Sequence, residues 1–423
     1  MNWNSIKKTL GPGILFASTA IGVSHLVQST RAGADYGFAL FAFVILANVL
    51  KFPFFEYAAR YAAATGESLI DGYKRLGKFA IWGYFLAILA SMFFVTAAIG
   101  LVTAGFMDNL FGLSSLWPSF NLFPVVLVFL ISAGVLLIGK FNLIDSIIKV
   151  IGGILFISTL IVFVLILIKG PEPYAAGFKK PEVFNEVGIL FIVALMGWMP
   201  TALDISSWVS LWSVEKMKTT NYRPTLKESL FDFNLGYWIS VFLSICFLCI
   251  GAYLLYGTGN VLPSDSVGFA DGIIKLYAET IGQWSYILIA ISAFSIMLGT
   301  SLGVFDGYSR TLQRISKILF FSETDKNEEQ RLRKILIASI LILSLGSLSI
   351  IFFFKGQFKT LIDLATTISF LIAPLIAIAN FKLVTKKYVD EAFVPNRFMK
   401  VLSYIGIVFL TGFALFYLYI KLT

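Results

Sequence analysis

Residues 15–37 read LFASTAIGVSHLVQSTRAGADYG: a membrane helix begins, gives way at Gly22, Val23, Ser24 and His25, and then resumes. His25 is the single histidine in 423 residues. A second interruption stands in ALMGWMPTALDISSW, residues 194–208, where Gly197 and Pro200 fall in the middle of an apolar run. Proline inside a helix removes one backbone hydrogen bond and crowds the preceding turn, at about 3 kcal/mol or more. Glycine there costs about 1 kcal/mol relative to alanine. Lipid cannot satisfy the N–H and C=O groups so freed, so these breaks persist only where protein or a water-filled cavity answers them.

The rest of the chain requires a membrane. It is 58% hydrophobic and 13% charged, with 42 phenylalanines, whereas a soluble globular chain is roughly a quarter charged. At about 20 apolar residues per crossing, eleven spans are expected near 11–32, 36–60, 79–107, 122–139, 143–169, 187–214, 229–256, 276–309, 334–354, 359–380 and 399–420. Several exceed the bilayer's need and so tilt or project. No polar stretch is long enough for a separate soluble domain; the most polar, SETDKNEEQRLRK at 322–334, reads as a solvated connection. Lys and Arg favour the connections on the N-terminal side by about three to one, which predicts a cytoplasmic N-terminus and Thr423 outside, in a bacterial inner membrane. The net charge of +9 follows from that bias, and no nucleic-acid partner is needed.

Cys246 and Cys249, in SICFLCIGAYLL, read as small apolar residues of a span, because reactive thiols need an electropositive, partly exposed setting. The opening MNWNSIKKTLGPG has no signal-peptide pattern. No aqueous loop carries a nucleophile–base set or a metal-ligand cluster, so neither an enzyme nor a cofactor is expected.

The two interrupted spans are first and sixth, in corresponding places of two five-span halves. That pattern predicts an all-α inverted-repeat secondary transporter, with repeats at 11–169 and 187–380 and 399–420 added, and with its site at the breaks. GPGILF before the first break, AGA at 32–34, AARYAAATGESL at 58–69, the Met-Pro of the sixth span and GTSLGVFDGYSR at 299–310 together resemble the Nramp family of proton-coupled divalent-metal transporters. The resemblance implies the leucine-transporter type of fold and alternating access. It also implies a metal site built from Asp-Pro-Gly-Asn in the first break and Met-Pro-His in the sixth. Here those positions are Gly22, Val23, Ser24, His25 and Met199, Pro200, Thr201, so only Met199 carries over as a ligand.

Losing the first-break carboxylate leaves a thin ligand set for a dication: His25, Met199 and, one turn on, Asp204. The same breaks suit an anion, because each following half-helix offers unpaired N–H groups and a partial positive charge near Ser24–His25 and Thr201–Ala202. Ser18, Thr19, Ser24 and Thr201 add hydroxyls, His25 a titratable donor, and Arg31 an attractor at the mouth. Gly22, Met199 and Ala202 complete the expected substrate site, with His25, Arg31 and Asp204 as coupling or electrostatic residues. A small oxyanion, bicarbonate first, is the expected substrate. A metal cation on altered ligands, and a non-transporting sensor such as the Nramp-related domain of plant hormone signalling, stand beside it. Lys51 and Glu56 are intramembrane ionisables whose spacing of five disfavours a direct pair. The coupling ion, proton or sodium, and the oligomeric state are not written in these residues.

Overall fold

The computed structural model describes residues 3–117, 120, 122–138, 141–321, 327–354 and 356–422, with backbone only for 3, 4 and 141–152. Residues 322–326 of the polar connection, residue 139 at the end of the fourth expected span, and Thr423 lie outside the described residues. Among the described residues the chain is helical, with no strand.

A short α1 (Trp3–Thr9) leads into the first span. That span is built in pieces: α2 (Pro12–Ala20), a π-helical stretch (Ser24–Ser29) and α3 (Thr30–Tyr36). The first half continues through α4 (Phe41–Thr65), α5 (Leu69–Leu76), α6 (Lys78–Phe111), α7 (Leu113–Leu116), α8 (Phe123–Ile138) and α9 (Phe141–Lys169). The sixth span is likewise divided into α10 (Glu186–Gly197), a 3-10 turn (Leu203–Ile205) and α11 (Ser206–Thr220). Then come α12 (Leu226–Leu254), α13 (Ser266–Ile281), α14 (Tyr286–Phe320), α15 (Glu328–Phe353), α16 (Phe358–Leu383) and α17 (Arg397–Leu422). Among the described residues seven of these helices are long and apolar enough to cross a membrane unbroken.

Several boundaries differ from the sequence expectation: the second span is Phe41–Thr65 and not 36–60, the sixth ends at Thr220 and not 214, the ninth begins at Glu328 and not 334, and the eighth differs most. The eighth span does not begin at 276: residues 276–281 end α13, a separate helix, and the span is α14. Gly282, at φ +133°, ends α13 where an L side chain would be strained, and a 3-10 turn at Gln283–Ser285 restarts the chain.

α12 and α14 are the most buried spans, and α15 and α17 the most lipid-facing. Both halves of the broken first span lie against α12 through glycine. A Cβ on Gly13 would fall 1.9 Å from Asp232 O, and one on Gly236 would fall 1.9 Å from Gly13 O. Further along, a Cβ on Gly33 would meet Leu248 O at 2.0 Å and one on Gly251 would meet Thr30 O at 2.2 Å. Small residues at these crossings let the backbones touch, the usual source of helix association in lipid. The Asp232 carboxylate adds a cap, accepting from Gly11 N–H (3.0 Å) and Gly13 N–H (2.7 Å) at the start of α2. Asn380 of α16 ties in other helices, donating to Phe54 O and Ser206 Oγ and accepting from Tyr73 OH.

Gly236→Ala and Gly251→Ala are each expected to cost about 1–3 kcal/mol through overpacking, lowering the melting temperature of detergent-purified protein. Gly83→Ala and Gly134→Ala, where no heavy atom lies within 4 Å of the new Cβ, should leave it unchanged or raise it. Equal melting of all four variants would refute the close-contact account.

Candidate functional site at the two helix breaks

The first break is a short interruption of the backbone ladder. Ile21 N–H closes the last bond of α2 on Ala17 O, Gly22 N–H folds back to Ala20 O at 2.9 Å, and Leu26 N–H restarts the ladder on Gly22 O. The carbonyls left at the end of α2 are answered by hydroxyls. Thr300 Oγ1, on α14, donates to Ser18 O at 3.1 Å and lies 3.5 Å from Ile21 O. Ser24 Oγ donates to Ala20 O at 2.6 Å. This explains Gly22: a Cβ there would sit 2.7 Å from Thr300 Oγ1 and 2.8 Å from its methyl. Thr19 likewise faces α14, where Gly303 makes room for it.

In the second break the carbonyls are answered by a charge. Lys51, fully buried on α4, donates from Nζ to Met196 O (2.6 Å), Gly197 O (2.8 Å) and Thr201 O (3.2 Å). Its stem leaves α4 two residues before Pro53, a proline inside that continuous helix. Glu56 pairs with Arg60, at 2.9 and 2.5 Å, and not with Lys51. Lys51 is the main residue of the site that the sequence reading noticed without placing. Its mid-span position beside a proline was the available signal.

The remaining expected residues divide between the breaks and their neighbours. His25 is buried between the first break and α12. Its Nε2 donates to Ser240 O at 2.8 Å, and Nδ1 lies 2.7 Å from Ser24 Oγ. Both ring nitrogens are thus occupied. Met199 Sδ accepts from Ser29 Oγ at 3.6 Å, joining the two breaks. Ala202 and Thr201 are buried beside it. Asp204 turns toward α6 and α14: its Oδ2 accepts from Ser91 Oγ and Tyr308 OH, each at 3.2 Å, while Oδ1 has no partner among the described residues.

Arg31 is not a free attractor at the mouth. Its guanidinium is held in two bonds by Asp363 of α16 (2.7 and 3.1 Å), by Gln28 Oε1 (2.8 Å), and by the Phe191 ring 4.9 Å away. That cluster joins α3, α10 and α16. Every residue from 19 to 33 and from 191 to 210 is buried, so both breaks are closed off in this conformation. Among the described residues, no three His, Cys, Asp or Glu side chains gather as a metal site.

Two buried broken helices, the first and sixth spans, linked by the Ser29–Met199 contact inside a closed bundle, define a broken-helix membrane transporter. Residues 13–420 match the family described as Nramp, natural resistance-associated macrophage protein-like, and the chain belongs to that family. An uncharacterised protein of Pasteurella multocida is 34% identical over 420 residues, 98% of this chain and 93% of that one. The divalent metal cation transporter MntH of Latilactobacillus sakei is 23% identical over 270 residues, 62% of this chain and 57% of that one. Among solved structures, a manganese transporter of Eremococcus coleocola is similar with a TM-score of 0.65 at 15% identity, covering 98% of this chain and 86% of that one. Mhp1, a nucleobase-cation-symport-1 family transporter, gives 0.59 at 16% identity, over 90% and 79%. The fold is therefore the leucine-transporter type, a five-plus-five inverted repeat with the first and sixth spans broken.

Gly22→Asp, which restores the family's carboxylate, is expected to destabilise the purified protein, because the new Cβ displaces Thr300 from the end of α2. Adding Thr300→Ala should recover part of the loss in a thermal melt. A Gly22→Asp protein melting like wild type would show that Thr300 does not set this position.

Proposed function

We propose that this Nramp-family transporter carries a small monovalent oxyanion, bicarbonate being the first to test, bound between the two breaks and moved by alternating access. The observation that carries this reading is the Lys51 ammonium on the carbonyl end of the broken sixth span. A dication there would sit beside a buried positive charge, and the Asp204 carboxylate is hydrogen-bonded elsewhere, to Ser91 and Tyr308. Uncompensated charge in such surroundings costs several kcal/mol even after relaxation, on the order of magnitude known for buried ions. An anion would instead gain from the Lys51 charge, from the Thr201 hydroxyl and from the positive N-terminal ends of the half-helices.

The repeats at 11–169 and 187–380, the cytoplasmic N-terminus and the bacterial inner membrane belong to the same proposal, supported by the break positions and by the lysine and arginine bias. A second reading has its own support. Relatives are named as manganese and divalent-metal transporters, and Met199 Sδ with the unpartnered Asp204 Oδ1 would be the soft and hard ends of a new ligand set.

Parallel uptake of labelled bicarbonate and of manganese into the same proteoliposomes separates the two. Bicarbonate flux without manganese flux, lost in His25→Ala, is the expected result. Asp204→Asn should then reduce flux without reversing ion preference, by about ten- to a hundredfold, on the order of a single charged hydrogen bond. Manganese flux alone would overturn the anion reading.

A further inference from the structure

The two breaks share one difficulty and solve it differently. In each, the first half-helix ends with carbonyls that have lost their acceptor role in the ladder. At the first break a neutral hydroxyl, Thr300, serves them. At the second, three carbonyl oxygens converge on a single cationic nitrogen within 2.6–3.2 Å. An ammonium has three N–H donors and no acceptor, so these three bonds use all of them. The nitrogen and its oxygens lie in fully or nearly fully buried residues.

Unwound carbonyls and half-helix C-terminal ends are the groups with which broken-helix transporters hold a coupling cation. Here that kind of oxygen cage already contains a charge, and the charge is covalently part of α4. We propose that Lys51 is a tethered substitute for a coupling cation: its ammonium fills the carbonyl cage of the sixth-span break. The sealed conformation then forms without free sodium or another monovalent ion. The inference concerns the partner ion and holds whichever ion is the substrate. A Lys51 side chain shortened to a methyl leaves the three carbonyls facing a void of ammonium size, which a small free cation can enter.

The test uses the full chain, purified in detergent with no substrate, and reads thermal melting in sodium, potassium, ammonium and N-methylglucamine chlorides. Wild type is expected to melt at one temperature in all four. Lys51→Ala is expected to melt several degrees lower in N-methylglucamine, too large to enter, and to recover in ammonium or sodium. Lys51→Met, which refills the space without charge or donors, should melt low in every salt. If Lys51→Ala cannot be purified in N-methylglucamine, the yield of folded protein in ammonium against N-methylglucamine is read the same way. Lys51→Ala that is equally unstable in all salts would make Lys51 a structural cap and overturn the proposal. So would wild-type melting that rises with sodium. Since no substrate is present, either result leaves the bicarbonate and manganese fluxes to be judged separately.

Discussion

A helix broken inside a bilayer has to find partners for the carbonyls it exposes, and the Lys51 ammonium does this for the sixth span. Three backbone oxygens from both sides of the break are gathered on one nitrogen. The bond set fixes where α10 stops relative to α4, and so where Met199, Thr201 and Asp204 stand. It also decides the charge of the site. Had a neutral donor served these carbonyls, the break would present a negative end to any passing ion.

α12 is the surface on which the first span is laid. The glycine contacts at Gly13 with Gly236 and at Gly33 with Gly251 bring both halves of that span to backbone contact with one helix. Asp232 and Ser240, also on α12, add polar ties to the start of α2 and to His25. Movement of the first-span halves against α12 would therefore have to break main-chain contacts at both ends. The Arg31–Asp363 cluster ties α3 to α16 through side chains, while α10 meets α16 at the backbone, where a Cβ on Gly197 would fall 2.0 Å from Thr366 O.

Gly22 and Thr300 compete for one space at the first break. The position where the resemblance places a metal-binding carboxylate has no room for a side chain, because Thr300 has taken over the carbonyls beside it. Thr300 thus serves the end of α2 from α14 and closes the space beside Gly22.

The breaks themselves were readable in the sequence, since Gly22, Gly197 and Pro200 violate helical rules locally and a lipid environment makes such violations expensive. The number of spans and the family resemblance were readable for similar reasons: hydropathy and short glycine motifs are local. The α13–α14 boundary was missed although Glu279, Thr280, Gly282 and Gln283 mark it, because apolar residues on both sides of that short polar stretch let one long span be drawn across it. The roles of the polar residues were still less accessible. His25 meets Ser240 at a separation of 215 residues, Lys51 meets Met196 at 145, and Arg31 meets Asp363 at 332. The sequence alone determined that the chain is a membrane bundle broken in two places, because those facts follow from apolar length and backbone chemistry. Only the tertiary structure decided which side chain answers each break, since a donor's partner is set by helices that pack together from distant parts of the chain.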